Sequence, residues 1–142
     1  IHPLPTLAGY EPRVCLEVKV QIERRDYTFM VTHLDHKSND LRSRQAEQIL
    51  QVCPSPLKRT VLMGDFNAQP PDESVTRILE KFADSCVLSK AAARKTYKDG
   101  GRIDYVFLSP DLSGSVVSYA VIDDDLTTVA SDHFPVVVEI RD

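Results

Sequence analysis

The amino-acid sequence predicts a mixed α/β (α+β) fold with more strands than helices. Three observations carry this. Six stretches of strand length are apolar throughout or at every second residue, two longer stretches are apolar at helical spacing, and a turn of four residues separates the first two strands. Period-two alternation marks a strand with one buried face, spacing of three and four marks an amphipathic helix, and so short a turn makes the first pair antiparallel. Helices between later strands call for crossovers, so the sheet is expected to be mixed and largely antiparallel, with flanking helices.

Residues 1–12 carry three prolines and read as an extended arm or linker, with the folded unit over 13–142. In residues 13–22, Val14, Leu16, Val18, Val20 and Ile22 point to one side and Cys15, Glu17, Lys19 and Gln21 to the other. This is a half-buried strand, expected to bury its aliphatic side. Residues 23–26 turn, and 27–34 return as the second strand of a hairpin. Ser38 or Asn39 caps a helix running to Cys53, with Leu41, Ala46, Ile49, Leu50 and Cys53 as its apolar stripe; Pro54 and Pro56 end it. Residues 59–64 form the third strand. A second helix over 70–82 opens on prolines and acidic residues and aligns Val75, Ile78, Leu79 and Phe82. Strands follow over 102–109, 113–123 and 134–140.

Composition bounds the function. The 142 residues are 42% hydrophobic and 27% charged, enough to bury a core, and no apolar run approaches the roughly 18 residues of a membrane span. The start of the chain has no basic-then-apolar pattern of a signal peptide. It lacks an initiating Met, so a fragment or processed product is expected, and the compartment stays open. A net charge of −4 argues against tight non-specific binding to nucleic acid, which needs Lys and Arg on phosphates. Cys15, Cys53 and Cys86 show neither disulfide nor zinc spacing and read as reduced, partly buried thiols.

Four strand ends carry chemistry. The second strand ends in His33, the third in Asp65 and Asn67, the fourth holds Asp104 near its start, and Ser131, Asp132 and His133 precede the last. Each has an ordinary reading. Asp65 and Asn67 suit a turn that bonds its own backbone, His33 an interior histidine, and Ser131–His133 a turn before Pro135. Asp104 is harder to dismiss, because a buried carboxylate needs a partner. If the four ends converge, the site holds three carboxylates, an amide and two imidazoles. Oxygen donors suit Mg²⁺ or Mn²⁺, the imidazoles suit proton transfer near neutral pH, and an Asp beside a His fixes its tautomer.

The stretches THLDH at 32–36, GDFNAQP at 64–70, RIDYVFLS at 102–109 and SDHFPVVVEI at 131–140 resemble, in order, those of the endonuclease/exonuclease/phosphatase superfamily. This is the fold of pancreatic deoxyribonuclease, abasic-site endonucleases and inositol-polyphosphate 5-phosphatases. The resemblance implies a four-layered α/β sandwich and metal-dependent phosphoester hydrolysis. By motif, His33 resembles a general acid or phosphate ligand. Asp65 and Asn67 resemble the pair that orients the attacking water and contacts metal and phosphate. Asp104 resembles the partner of the final histidine, His133, and Asp132 resembles a metal ligand alongside Asp65.

The family's first strand Asn and following metal-binding Glu have no counterpart in residues 1–30, where Glu11, Glu17 and Glu23 stand in other contexts. The chain thus resembles the C-terminal portion of the domain. Taken alone it is expected to be weak or inactive, and the absent sheet is expected to leave apolar surface for an upstream segment or a second copy. The expected function is a divalent-metal-dependent phosphodiesterase, nuclease or phosphatase acting by in-line attack of water. The alternative is a non-catalytic scaffold that kept the fold. The substrate stays open among nucleic acid, phospholipid headgroup and small phosphodiester. Arg94, Lys95 and Lys98, in the polar loop before the fourth strand, are the basic candidates for substrate contact.

Overall fold

The alternation of residues 13–22 is real, but its aliphatic side is not covered. In the computed structural model, which describes residues 1–141, Val14, Leu16, Val18, Val20, Ile22 and the neighbouring Val31 are each 37–46% exposed, whereas Cys15 on the opposite side is fully buried. The topology explains this. β2 (Val14–Ile22) and β3 (Arg25–His33) form an antiparallel hairpin at one side of a six-stranded sheet. β4 (Thr60–Asp65) pairs parallel with β3 after the crossover through α1 (Asn39–Val52). Beyond it lie β6 (Asp104–Leu108) and the two-residue β5 (Ala83–Asp84), both antiparallel, and with β1 (His2–Pro3) at the far edge the order is β1-β2-β3-β4-β6-β5. The expected sheet is therefore found: mixed and largely antiparallel.

Helices α1 and α2 (Glu73–Leu79) cover one face. Met30, Leu62, Phe66, Tyr105 and Phe107 meet Ala46, Ile49, Val75 and Ile78 there, and Phe66 packs edge-on against both Tyr105 and Phe107. The other face meets a two-stranded sheet, β7 (Val116–Val121) with β8 (Val136–Ile140), around Tyr27, Val61, Leu108 and Leu112. That small sheet reaches only the β4 and β6 side, leaving β2 bare and a cleft of about 580 Å³ lined by Tyr27, Phe29, Met63, Val106, Val136 and Val138.

The proline-rich start is extended and docked. β1 (His2–Pro3) adds to the edge of β2, Leu4 is buried, and Gln45 donates to the Pro5 carbonyl. Sequence periodicity did not reveal this strand, nor β5, α3 (Ser85–Leu88) and α4 (Asp125–Ala130), because each is too short to show a period. Capping followed side-chain chemistry: Ser38 accepts from Leu41 N–H and Asp72 from Ser74 N–H. All three cysteines are free, and burial pushes Cys15 up to about 12 and Cys53 to about 11. No helix among the described residues is long and apolar enough to cross a membrane.

Candidate active site

Parallel pairing of β3 with β4 sets His33 beside Asp65, and antiparallel pairing of β4 with β6 sets Asp65 opposite Asp104. Three of the four polar strand ends thus meet by register alone. Gly64 lets them approach. Its φ of +141° suits glycine, and a Cβ there would stand 1.8 Å from the Thr32 carbonyl oxygen.

Asp65 divides its two oxygens between the readings its sequence left open. Oδ1 accepts the Asn67 N–H at 2.8 Å, closing the turn. Oδ2 faces the pocket, 3.2 Å from His33 Nε2 and 3.9 Å from His133 Nε2. Asn67 adopts a left-handed φ of +48° and donates from Nδ2 to the Leu34 carbonyl, so one of its two amide hydrogens ties the turn to the residue that follows β3. Burial, the largest influence, and the Asp104 charge push the Asp65 carboxyl above the ordinary range, outweighing the Asn67 N–H and both imidazoles.

The fourth end is brought in by the loop before β6. Lys98 N–H donates to the Asp132 carbonyl, Phe134 N–H to the Thr96 carbonyl, and the Tyr97 ring lies 5.0 Å from that of His133. Thr96 is fully buried, and its hydroxyl oxygen accepts the N–H groups of both Ile103 and Asp104 at 3.0 Å. It therefore spans the two strand ends that carry Asp104 and His133. Between these, His133 Nδ1 lies 2.9 Å from Asp104 Oδ2, which leaves Nε2 toward Asp65. Burial alone would lower the His133 pKa, but the Asp104 bond and the charges of Asp104, Asp65 and Asp132 raise it, favouring imidazolium. His33 goes the other way: burial lowers it despite the Asp65 charge.

Endonuclease/Exonuclease/phosphatase family is the description of the family model that matches residues 14–133. The chain belongs to that family. A comparison with curated protein sequences finds no match. Among solved structures, a mannosyl-6-phosphatase of Bacteroides thetaiotaomicron VPI-5482 is 25% identical with a TM-score of 0.81, over 95% of this chain and 59% of that one. A functionally unknown protein of Enterococcus faecalis V583 is 25% identical with a TM-score of 0.78, over 96% and 60%. The human Nocturnin catalytic domain, solved with bound sulfate, is 21% identical with a TM-score of 0.66, over 90% and 52%. The chain thus spans about three fifths or less of the length of these structures.

The donor set fits the divalent cation that the family resemblance implied. Asp65, Asp104 and His133 each place a ligand atom within 4.8 Å of the others. The two carboxylates suit such an ion, with its remaining positions left to water or substrate, whereas the His133 imidazole is a ligand only in its neutral form. Asp132, expected as a metal ligand, lines the same pocket but stands outside this group of three.

The basic candidates are placed elsewhere. Arg94 bonds Asp123 and the Val121 carbonyl, Lys95 bonds the Lys98 carbonyl, and Lys98 Nζ bonds the Thr128 carbonyl. None of them lines the pocket, because their loop turns Tyr97 and Ile103 inward instead. Sequence reasoning missed Glu11 and Arg13, which do line it. Hairpin register was the available signal: Cys15 pairs with Thr32, so the residues just before Cys15 run alongside His33.

Proposed function

We propose that this chain carries the catalytic C-terminal portion of a phosphoester hydrolase that uses Mg²⁺ or Mn²⁺ and acts by in-line attack of water. The observation that carries the reading is the placement of one Asp65 oxygen against two imidazole nitrogens, with Asp104 behind one of them. A carboxylate with a raised pKa is suited to accept a proton from an attacking water. An imidazolium at His133, held by Asp104, is suited to stabilise phosphoryl negative charge or to protonate the leaving oxygen. Neutral His33 orients the Asp65 carboxylate from the other side. The remaining Asn67 amide hydrogen is free to donate to a phosphoryl oxygen. A divalent ion held by Asp65 and Asp104, with Asp132 at the rim, would supply charge stabilisation to a phosphoryl oxygen, while protonated His133 stays outside its ligand set.

The matched solved structures are longer chains, so activity of this stretch alone is expected to be weak, and we assign the full rate to a longer protein. The ester class is best read broadly, covering a phosphomonoester and a phosphodiester of nucleic acid, lipid headgroup or small molecule. Hydrolysis of p-nitrophenyl phosphate and its bis ester, with Mg²⁺ or Mn²⁺ and with a chelator, tests the reading. Chelator-sensitive turnover that Asp65→Ala lowers by several kcal/mol of transition-state stabilisation supports it. Turnover indifferent to both the chelator and Asp65→Ala sinks it.

The exposed aliphatic side of β2 supports self-association as a further expectation, since contiguous apolar surface favours contact. A single monomeric species in sedimentation at high concentration counts against it.

A further inference from the structure

The pocket is rich in carboxylates and poor in fixed positive charge. Glu11, Asp65 and Asp132 line it, with Asp104 behind His133. A phosphoester brings further negative charge. Among the described residues that line the pocket, Arg13 is the one Lys or Arg. None of the three lining histidines, His33, His36 and His133, substitutes for it: imidazole charge varies with pH, whereas a guanidinium stays charged.

Arg13 is also held in place. Its carbonyl accepts the Leu4 N–H at 2.9 Å, so the docked arm fixes its backbone at the head of β2. Its side chain is 11% exposed. Nη2 lies 2.8 Å from Glu11 Oε2 and 3.5 Å from His36 Nδ1, which brace the arm from the rim. Nε is buried without an acceptor. A guanidinium carries five donors, and here one edge is braced while Nε has no acceptor. Such a group retains hydrogen-bonding capacity for an oxyanion, with bidentate geometry suited to phosphate.

We infer that Arg13 is the phosphoryl anchor of this site, binding non-bridging oxygens on the His33 side of Asp65, while Glu11 and His36 hold its arm. This rests on the hydrolase reading above and adds a residue and a task to it. The anchor holds the ester against the carboxylates so that Asp65 and His133 address the phosphorus. The fixed cation lining the pocket thus comes from the hairpin and not from the loop that carries Lys95 and Lys98.

The test is titration of inorganic phosphate into the 142-residue chain, with and without Mg²⁺, followed by the ring resonances of His33 and His133. Wild type is expected to saturate. Arg13→Met is expected to bind at least about tenfold more weakly, and Arg13→Lys, which keeps the charge and loses the fork, to fall between. Both variants are expected to unfold at the wild-type temperature; Arg13→Gln replaces Arg13→Met should the latter lose its fold. Wild-type affinity in the folded Arg13→Met or Arg13→Gln chain overturns the anchor and leaves the hydrolase reading standing. A wild type in which neither ring responds to phosphate overturns both.

Discussion

The two sides of the pocket are built differently. On the β6 and β8 side, His133 is bonded from behind by Asp104, set against the tilted ring of Tyr97 and spanned by the buried Thr96, and its side chain is 31% exposed. On the β3 side, the His33 side chain is 53% exposed and its close polar contact is the pocket-facing oxygen of Asp65. One imidazole is preset and biased toward its charged form; the other is loosely held and biased toward neutrality. A group that must meet a charged phosphoryl oxygen gains from being fixed in advance, because no reorganisation is then needed in the transition state. The looser side is free to adjust to the substrate.

The largest way to break this comparison is to break the hinge both sides share. Gly64→Ala puts a Cβ onto the Thr32 carbonyl at a φ unfavourable to alanine. β3 and β4 must then part, and His33 leaves Asp65. The expected outcome is loss of the fold or a stability drop of at least about 4 kcal/mol, read by urea unfolding. A folded Gly64→Ala chain with near wild-type stability would show that the strands separate without cost.

Next come the two sides separately. Asp104→Ala strips His133 of its partner and is expected to cut turnover by about 10³-fold, in the range seen when a positioned proton-transfer group is disabled. His33→Ala is expected to cost about tenfold. Equal losses would erase the distinction between a preset and an adjustable side. Thr96→Val keeps the shape of Thr96 but removes the oxygen that accepts from Ile103 and Asp104. It is expected to lower kcat by about tenfold with KM little changed, and Thr96→Ser to restore it.

The preset side was the more legible one in the sequence. Asp104 inside an apolar strand and His133 before another are departures from pattern, and departures can be seen without a structure. What joins them could not be. Thr96 acts through a buried hydroxyl and its backbone in a loop without period, and nothing in its own sequence neighbourhood marks it as a bridge. Arg13 lies within reach of hairpin arithmetic, whereas Arg94, Lys95 and Lys98 stand out by sharing a segment with Asp104, and the fold bonds them to Asp123 and to carbonyls. The strands were legible because alternation is local. The bare side of β2 was not, because whether an apolar side is covered depends on which other strands reach it.

The smallest expected effect sharpens the comparison furthest, because its sign differs between the two imidazoles. His133 has a raised folded-state pKa, so in metal-free protein it adds stability that is present below the ordinary histidine value of about 6.5 and is lost as pH rises through the folded value. His33 has a lowered one, so its contribution is present above about 6.5 and is lost as pH falls through the folded value. His133→Gln is therefore expected to destabilise more at about pH 5.5 than at about pH 8.5, and His33→Gln the reverse, each difference staying under about 1 kcal/mol because both rings are partly solvated. Urea unfolding of both variants at the two pH values decides it. Differences of the same sign would mean that Asp65, which faces both rings, governs the pair as one unit, and the two sides would then be a single coupled device.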